Sequence, residues 1–367
     1  MNFKKDYHKG IDYLGKQVLF VAPNIRWKGG ISSVVMEYKQ AISTFQYQPS
    51  TTSEDIRLTF LSFPFLLLRF CYLLLLPKRY VKIVHIHGAS QGSFYRKYLF
   101  FLLAKYVFRK KVVYHIHGAM YHLFYEGASP FVQKRIQHFI NTTDCLIVLS
   151  DWWREYFEST FQPRMIRIIP NIVRATNDHA IARQSSAPVK FLFLGRIGER
   201  KGVYDLLEVL QRNSESLAGR YMLDLGGDGE TKKLQALIRQ YHLEEQVNFL
   251  GFVTGDHKEE LLRAADVYIL PSYNEGLPIS ILEAMSFGLP IISTKVGGIP
   301  EVVHHHQNGL LIDAGDQPAI YEAINFFIND PEKVSQYGKQ SYEIVSKDYF
   351  PEPVMKALAS VYQDLLA

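Results

Sequence analysis

The sequence lacks the features of a secreted, disulfide-linked or nucleic-acid-binding protein. Its 367 residues include two cysteines, Cys71 and Cys145, which are too few for a disulfide framework and fit a reducing compartment. No apolar run directly follows the basic N-terminal residues, so we do not expect a signal peptide. There is no Asp-x-Asp sequence to bind a metal, and no recognised nucleic-acid module. We therefore predict neither a metal nor a nucleic-acid partner.

Acidic residues are scarce in the first half of the chain. Residues 1–170 contain 23 Lys and Arg against 10 Asp and Glu, a net charge of +13, whereas residues 171–367 contain 18 against 26, a net of −8. The two halves are therefore expected to have different partners. The basic half could face an anionic membrane or a phosphate-bearing acceptor, or its lysines could simply be solvated.

The length and hydrophobic content, 367 residues and 47%, are enough for two domains with large cores. A buried-strand run followed by a glycine-containing loop and a helical pattern occurs twice, at residues 17–41 and at residues 190–210. Residues 172–189 lack periodicity and are typical of a linker. We predict a Rossmann-like domain over 1–171, a second over 190–350, and a C-terminal helix at about 351–367.

The most informative stretch is residues 266–298, which predicts a strand, a loop, a helix and a second strand of a parallel sheet. Glu275 follows the first strand, at the edge where open α/β sheets bind ligands. Glu283 lies eight residues later, inside the predicted helix. Pro278 suits the first helical position, and the free N–H groups of that turn favour an anion beside Glu275.

The Glu-x7-Glu spacing in this stretch resembles that of retaining, nucleotide-sugar-dependent glycosyltransferases of the GT-B fold, the family 4 (group 1) type. The loop at Gly195, Arg196, Lys201 and Gly202 matches the Gly-Arg-x4-Lys-Gly pattern of the same family, and residues 226–230 are similar to its Gly-Asp-Gly turn. The resemblance implies two facing Rossmann-like domains with a cleft between them. It also implies a last helix that returns to the first domain.

The resemblance assigns roles to particular positions. Arg196 and Lys201 would neutralise the leaving diphosphate, Glu275 would bind hydroxyls of the donor sugar, and Glu283 would bind the ribose. His117 and the Gly29-Gly30 turn would face the sugar and phosphates from the first domain. The remaining donor-binding positions implied by the family are Phe252, Val253, Gly276 and Leu277. Many relatives have Glu-Gly-Phe-Gly where this chain has Glu275-Gly276-Leu277-Pro278, and the proline removes one backbone donor.

Two further features of the first half need an interpretation. Two predicted strands end alike, in VHIHG and YHIHG, which puts His85 and His87, and likewise His115 and His117, on one face of each strand. No carboxylate or cysteine joins them at ligand spacing, so we favour polar residues at strand ends over a metal site. The apolar residues 58–77 are interrupted by Pro64 and Arg69, which favours a core helix over a membrane span. A monotopic membrane contact is the alternative.

The predicted reaction is transfer of a sugar from a UDP- or GDP-linked donor to an acceptor hydroxyl with retention of configuration. No cofactor is required, and no side chain stands out as a nucleophile. We expect a cytoplasmic enzyme of polysaccharide or lipid-linked glycan synthesis, peripheral on the inner face of the membrane. The alternatives are an epimerase or hydrolase of the same fold, and a non-catalytic module that binds a nucleotide sugar.

Overall fold

The computed structural model describes residues 12, 14–27, 29–52, 55–76, 80–175 and 188–367. The chain divides into two compact units, Met1–Ile172 with Pro351–Ala367, and Val173–Phe350. Most of the predicted linker, residues 176–187, lies outside the described residues. So do Lys78 and Arg79, which flank the apolar segment.

The first unit is built on a six-stranded parallel sheet with the strand order β2-β1-β3-β4-β5-β6. Its strands are β1 (Val18–Ala22), β2 (Gln46–Pro49), β3 (Ile83–Gly88), β4 (Lys111–Ile116), β5 (Cys145–Val148) and β6 (Ile166–Ile168). Its helices are α1 (Gly30–Ala41), α2 (Ile56–Leu75), α3 (Gly92–Leu102), α4 (Tyr121–Glu126), α5 (Pro130–Thr142) and α6 (Asp151–Thr160). A π-helical turn, Leu103–Val107, continues α3.

The second unit has its own six-stranded parallel sheet with the order β12-β11-β10-β7-β8-β9. Its strands are β7 (Val189–Leu194), β8 (Tyr221–Gly226), β9 (Val247–Gly251), β10 (Val267–Leu270), β11 (Ile291–Thr294) and β12 (Gly309–Ile312). Its helices are α7 (Val203–Arg212), α8 (Ser214–Leu217), α9 (Thr231–Gln240), α10 (Gly255–Ala264), α11 (Ile279–Ser286), α12 (Gln317–Asn329) and α13 (Glu332–Asp348).

The last helix, α14 (Pro351–Leu366), belongs to the first unit although it follows the second in sequence. It packs on α1, and the Tyr362 hydroxyl lies 2.6 Å from Nδ1 of His85 on β3. The GT-B pattern predicted this return. The buried face of α14 carries the apolar positions of its sequence, including Val354, Leu358 and Val361. An amphipathic helix with this spacing needs a second apolar surface to cover it.

Local sequence patterns account for many of the boundaries. Strands β1, β5 and β10 are continuous, fully buried apolar runs, because both faces of a parallel sheet are covered by helices. The Ser150 side chain caps α6 by accepting a hydrogen bond from the N–H of Trp153. One local expectation was wrong by a position: Pro278 is the N-cap of α11, with an extended ψ of 121°, and Ile279 is the first helical residue.

Candidate functional site

The loops that follow β7, β10 and β11 meet at the carboxyl edge of the second sheet, and glycines allow their close approach. Gly202 has a φ of +67°, and a Cβ there would lie 1.9 Å from the carbonyl oxygen of Pro271. Gly297 has a φ of +55°, and a Cβ there would lie 2.0 Å from the carbonyl oxygen of Glu275. Only glycine meets both requirements, a left-handed backbone and no side chain.

Glu275 is the best-anchored side chain in these loops. It is 6% exposed, and its Oε1 accepts hydrogen bonds from the ammonium of Lys201 and from Oγ of Ser272, the latter at 2.8 Å. The Arg200 guanidinium lies 3.6 Å from the same oxygen and also donates to the carbonyl oxygen of Asn274 at 2.7 Å. Two separate loops are therefore tied together by one buried carboxylate.

Lys201 is held in place by this contact, with only 12% of its side chain exposed. Lys201, predicted to neutralise the diphosphate, and Glu275, predicted to bind the sugar, thus form an ion pair. Ser272 and Arg200 complete the group, and sequence reasoning missed both. Arg200 is adjacent to Lys201 in the charged loop, but nothing local shows that its side chain turns toward residue 275.

Glu283 forms a second carboxylate–lysine pair. Its Oε1 lies 2.5 Å from Nζ of Lys258 on α10, and both side chains are about a quarter exposed, 23% and 26%. Lys258 was not predicted, because the 25 residues between the partners leave no local signal of the contact. The first helical N–H groups of α11 lie between Glu275 and Glu283 in sequence, and such groups favour an anion.

The remaining predicted positions of the second unit surround this edge. Arg196 is exposed and follows β7, whereas Leu277 and Val253 are buried, at 4% and 9%. Phe252 is 40% exposed after β9, and the carbonyl oxygen of Gly276 accepts a hydrogen bond from the N–H of Gly298 at 2.6 Å. These positions lie on the loops after β7, β9 and β10, as expected for a ligand site at a carboxyl edge.

In the first unit, the structure brings together the four histidines of the two similar strand ends, His85, His87, His115 and His117, here called the histidine cluster. His87 Nδ1 lies 2.9 Å from His117 Nε2, and His117 Nδ1 lies 3.2 Å from Oδ1 of Asn171. The amide oxygen can only accept, so His117 carries its proton on Nδ1 and accepts from His87 at Nε2. Both ring nitrogens of His117 therefore have protein partners, and a sugar hydroxyl would have to displace one of them.

Burial sets the charge of the histidine cluster. It lowers the pKa of His85, His87 and His115 well below 6.5, and it lowers the pKa of His117 to about 4. Neighbouring imidazoles add to the shift in the first three, since a second positive charge is unfavourable beside the first. At neutral pH all four rings are therefore uncharged.

The ring geometry of the histidine cluster does not suit a metal. Nitrogens of His85, His87 and His115 lie within 4.8 Å of one another. Their rings, however, are tilted by only 17°, 18° and 35° from parallel, with centroids 4.3 to 5.5 Å apart. A ligand lone pair lies in the plane of its ring, so nearly parallel stacked rings do not converge on one ion at about 2.0 Å.

A buried lysine lies beside the histidine cluster, and the sequence did not reveal it. Lys97 of α3 has no exposed surface, and its ammonium donates to Oγ of Ser93 at 3.1 Å. Burial lowers its pKa to about 7, with a smaller contribution from Arg96. Its charge also disfavours protonation of His87 and His117. This edge of the first sheet therefore carries positive charge that is not neutralised within the cluster.

The Gly29-Gly30 turn lies at the carboxyl end of β1, where it begins α1. Gly29 has a φ of +143°, and no atom lies within 4 Å of the position that its Cβ would occupy. Both glycines are exposed, and the first turn of α1 contains no acidic residue. The turn is therefore open to a ligand at the positive end of a twelve-residue helix.

Comparison with known proteins decides the family. Residues 175–344 match the model described as Glycosyl transferases group 1, and residues 37–176 match the model described as Glycosyltransferase Family 4. This chain belongs to the group 1 glycosyltransferases. Its motif residues Arg196, Lys201, Glu275 and Glu283 all lie in the first matched segment. The recognition of a group 1 glycosyltransferase from the sequence is confirmed.

Individual relatives show how far the group 1 likeness extends. A protein of Escherichia coli K12, provisionally named colanic acid biosynthesis glycosyltransferase WcaL, is 29% identical over 248 residues, 62% of this chain and 59% of its own length. The chain thus spans less than two thirds of that relative. Among solved structures, sucrose-phosphate synthase of Thermosynechococcus elongatus is 21% identical, covering 95% of this chain and 99% of its own, with a TM-score of 0.76. HepE of Anabaena in complex with UDP-glucose is 19% identical, covering 95% and 99%, with a TM-score of 0.74. The predicted GT-B fold is confirmed.

Proposed function

We propose that this group 1 glycosyltransferase moves a sugar from a nucleoside diphosphate donor to an acceptor hydroxyl, with retention at the anomeric carbon. The observation that carries the proposal is the Lys201–Glu275–Ser272 group, a buried, charge-paired anchor at the carboxyl edge of the second sheet. A lysine held this firmly, in the same loop as Arg196 and Arg200, is preorganised for negative charge. Preorganised charge of this kind is often the largest catalytic term.

In the proposed reaction, the bond between the anomeric carbon and the diphosphate oxygen breaks as the bond to the acceptor oxygen forms. Negative charge develops on the leaving diphosphate, and Arg196, Lys201 and the first turn of α11 stabilise it. The acceptor proton passes to the leaving phosphate on the same face of the sugar, which gives retention without an enzyme nucleophile. Each step uses groups of the chain or of the substrates.

The other carboxylates position the donor. Glu275 orients Lys201 and would bind hydroxyls of the sugar with its remaining oxygen, Oε2. Glu283, held by Lys258, would bind the ribose. We further propose that His117 and the Gly29-Gly30 turn contribute contacts to the sugar and phosphates.

Support for the donor class comes from the solved HepE structure, whose bound ligand is UDP-glucose. The WcaL relative, whose name refers to colanic acid, supports a product of the polysaccharide type. We propose a cytoplasmic enzyme, peripheral on the inner face of the membrane, that extends a polysaccharide or a lipid-linked glycan without a cofactor.

The test combines a donor screen with two substitutions. UDP- and GDP-sugars are first screened for thermal stabilisation, since a ligand at about a hundred times its dissociation constant adds about 2.7 kcal/mol. Transfer from the stabilising donor is then measured for Lys201→Ala and Glu283→Ala. Each should lower the rate by on the order of a hundredfold, the usual effect of removing one positioned group. Unchanged transfer in both variants would show that the site is assigned wrongly.

The same assay separates the alternatives. Donor consumption without an acceptor would indicate a hydrolase or epimerase. Tight donor binding without turnover, across a broad acceptor panel, would indicate a binding module.

A further inference from the structure

Helix α2 of the first unit is apolar on the side that faces water as well as on the side that faces the sheet. Its inner side packs into the core through Leu66, Phe70 and Leu73. Its outer residues follow one another at intervals of three and four, which places them in a single stripe along the helix. They are Leu58, Leu61, Phe65, Leu68, Tyr72 and Leu75, exposed by 55%, 67%, 72%, 67%, 61% and 68%. A helix on a water-exposed surface normally carries polar residues in such a stripe.

The exposed apolar surface continues onto the neighbouring helix. Helices α2 and α3 lie side by side on one face of the sheet. Phe63 and Phe70 of α2 each pack edge-on against Phe100 of α3. The exposed residues of α3 and its π-helical turn are again aromatic or aliphatic: Tyr95, Leu99, Tyr106 and Val107, at 49%, 42%, 52% and 63%. These four and the α2 stripe are called the outer apolar face. Contiguous exposed apolar surface of this kind marks an interaction site.

The charge around the outer apolar face is mostly positive. Residues 56–125 contain 11 Lys and Arg and no Asp or Glu. At the composition of the whole chain, 36 acidic residues in 367, this stretch of 70 residues would contain about seven acidic residues. Arg57 and Arg69 are exposed on α2, and Arg109 and Lys111 are exposed just after the π-helical turn. The face is therefore apolar and bordered mainly by cations, although Asp55, the exposed N-cap of α2, adds one carboxylate at the end of the stripe.

This combination favours an anionic bilayer over a second copy of the chain. In a symmetric dimer the same patch occupies both sides of the interface, so a border in which cations outnumber the carboxylate of Asp55 would face a copy of itself. Anionic headgroups, by contrast, match a cationic border around apolar side chains that reach the acyl boundary.

The contacts of α2 favour lying on the bilayer over crossing it. Residues 57–75 are long and apolar enough to span a membrane, and 28% of the most apolar window is buried. The buried residues include Leu66, Phe70 and Leu73, each less than 7% exposed, and they pack the helix against the sheet. A spanning helix would have to leave the core of its unit, whereas an interfacial helix keeps these contacts.

We propose that the outer apolar face is a monotopic docking surface for a bilayer rich in anionic lipid. The proposal gives the peripheral location proposed above a specific surface. It rests on the exposed residues of the first unit and is independent of the sugar-transfer chemistry.

The test is co-sedimentation of the full chain with vesicles. One set contains phosphatidylglycerol and phosphatidylcholine in equal amounts, and the other contains phosphatidylcholine alone. The wild type should bind the first set more tightly than the second, and less tightly as salt is added. The double variant Phe65→Gln and Leu68→Gln should lose most of the binding. Its matched control, Phe65→Leu and Leu68→Ile, keeps an apolar stripe and should bind like the wild type.

A second pair of variants tests the cationic border. Arg57→Gln with Arg109→Gln should weaken binding to anionic vesicles by on the order of tenfold or more. Lys232→Gln with Arg239→Gln removes two exposed cations from α9 of the second unit and should leave binding unchanged. All of the substituted side chains except the control pair in the second unit belong to the face or its border. Thermal midpoints and stabilisation by the donor that the screen identifies are measured for every variant, so that unfolding or loss of the donor site is recognised separately.

Three results would overturn the proposal. The first is vesicle binding that is absent, or that survives Phe65→Gln with Leu68→Gln. The second is a wild type that binds no vesicles and sediments as a dimer, together with a Phe65→Gln and Leu68→Gln variant that sediments as a monomer. That result would show that the outer apolar face binds a second copy of the chain. The third is vesicle-bound protein that resists extraction with alkaline carbonate, which would indicate a spanning helix.

Discussion

Lys97→Met should make the first unit more stable, by an amount that depends on pH. The lysine is completely buried beside the histidine cluster, and burial lowers its pKa from 10.5 to about 7. Methionine has a similar length and needs no counter-charge. The substitution leaves Ser93 with a partner, because its Oγ also accepts from the N–H of Ala89 at 3.2 Å.

The magnitude follows from the shift in pKa. A difference of about 3.5 units, at about 1.36 kcal/mol for each, corresponds to about 5 kcal/mol as an upper limit. The unfolded lysine binds its proton more tightly than the folded one, so the free energy of unfolding of the wild type rises with pH between about 7 and 10.5. The cost of Lys97 is full below about pH 7 and is gone above about pH 10.5. The advantage of the variant should therefore be largest at about pH 6 and shrink as the pH rises.

Urea unfolding followed by tryptophan fluorescence measures this effect selectively. The three tryptophans of the chain, Trp27, Trp152 and Trp153, all belong to the first unit. Lys134→Met, at an exposed position of α5, is the matched control and should change stability by less than about 0.5 kcal/mol at every pH. A Lys97→Met variant that is less stable than the wild type at about pH 6, or whose advantage does not depend on pH, would refute the reasoning.

Three further predictions follow from the same structure. In the folded protein the pKa values of the histidine cluster lie below 6.5, so the unfolded state binds more protons as the pH falls. The midpoint of urea unfolding, detected by fluorescence, should therefore fall as the pH drops from about 6.5 to 4. A midpoint that stays constant would contradict this. Gly202→Ala should lower the thermal midpoint of the second unit more than Gly219→Ala, because both glycines have positive φ but only Gly202 has an atom, the Pro271 oxygen, in the way. Glu275→Gln should lower the free energy of unfolding by about 2 kcal/mol or more, because it leaves Lys201 without its counter-charge. In a double-mutant cycle, adding Lys201→Met should restore part of that stability. Effects that simply add would argue against the pair.

Stretches whose structure depends on near neighbours were predicted well. Strand β10, Val267–Leu270, lies in the stretch 266–298 for which the sequence predicts a strand, because a continuous apolar run is what a strand covered on both faces requires. The sequence Ser150-Asp151-Trp152-Trp153 predicts a helix capped by Ser150 or Asp151, and the structure has Ser150 as the cap of α6, a contact over three residues. The site loops were also placed at the correct strand ends. Their glycines and charged residues form a local motif whose meaning came from the family resemblance.

Elements that depend on distant partners were missed. Strands β2 and β12 are four-residue edge strands with weak patterns, and both are recognised only by their pairing with β1 and β11. The glycine turn at residues 297–301 predicts a helix that ends at His304–His306, but these histidines instead lie in an exposed segment before β12. Edge strands are short and half-covered, so their residues carry little of the periodic signal that marks the central strands.

The candidate site shows the same division. The sequence by itself determined that this is a group 1 glycosyltransferase of the GT-B type, with Arg196, Lys201 and Glu275 in loops after strands and Glu283 in the helix that follows Glu275. Only the tertiary structure decided that Lys201 pairs with Glu275 across 74 residues and that Glu283 pairs with Lys258. It also decided that Lys97 is buried and that the outer side of α2 is exposed. Charge pairing and burial depend on which distant residues the fold brings into contact. The sequence pattern shows which residues are charged or apolar, but it does not show which of them become neighbours.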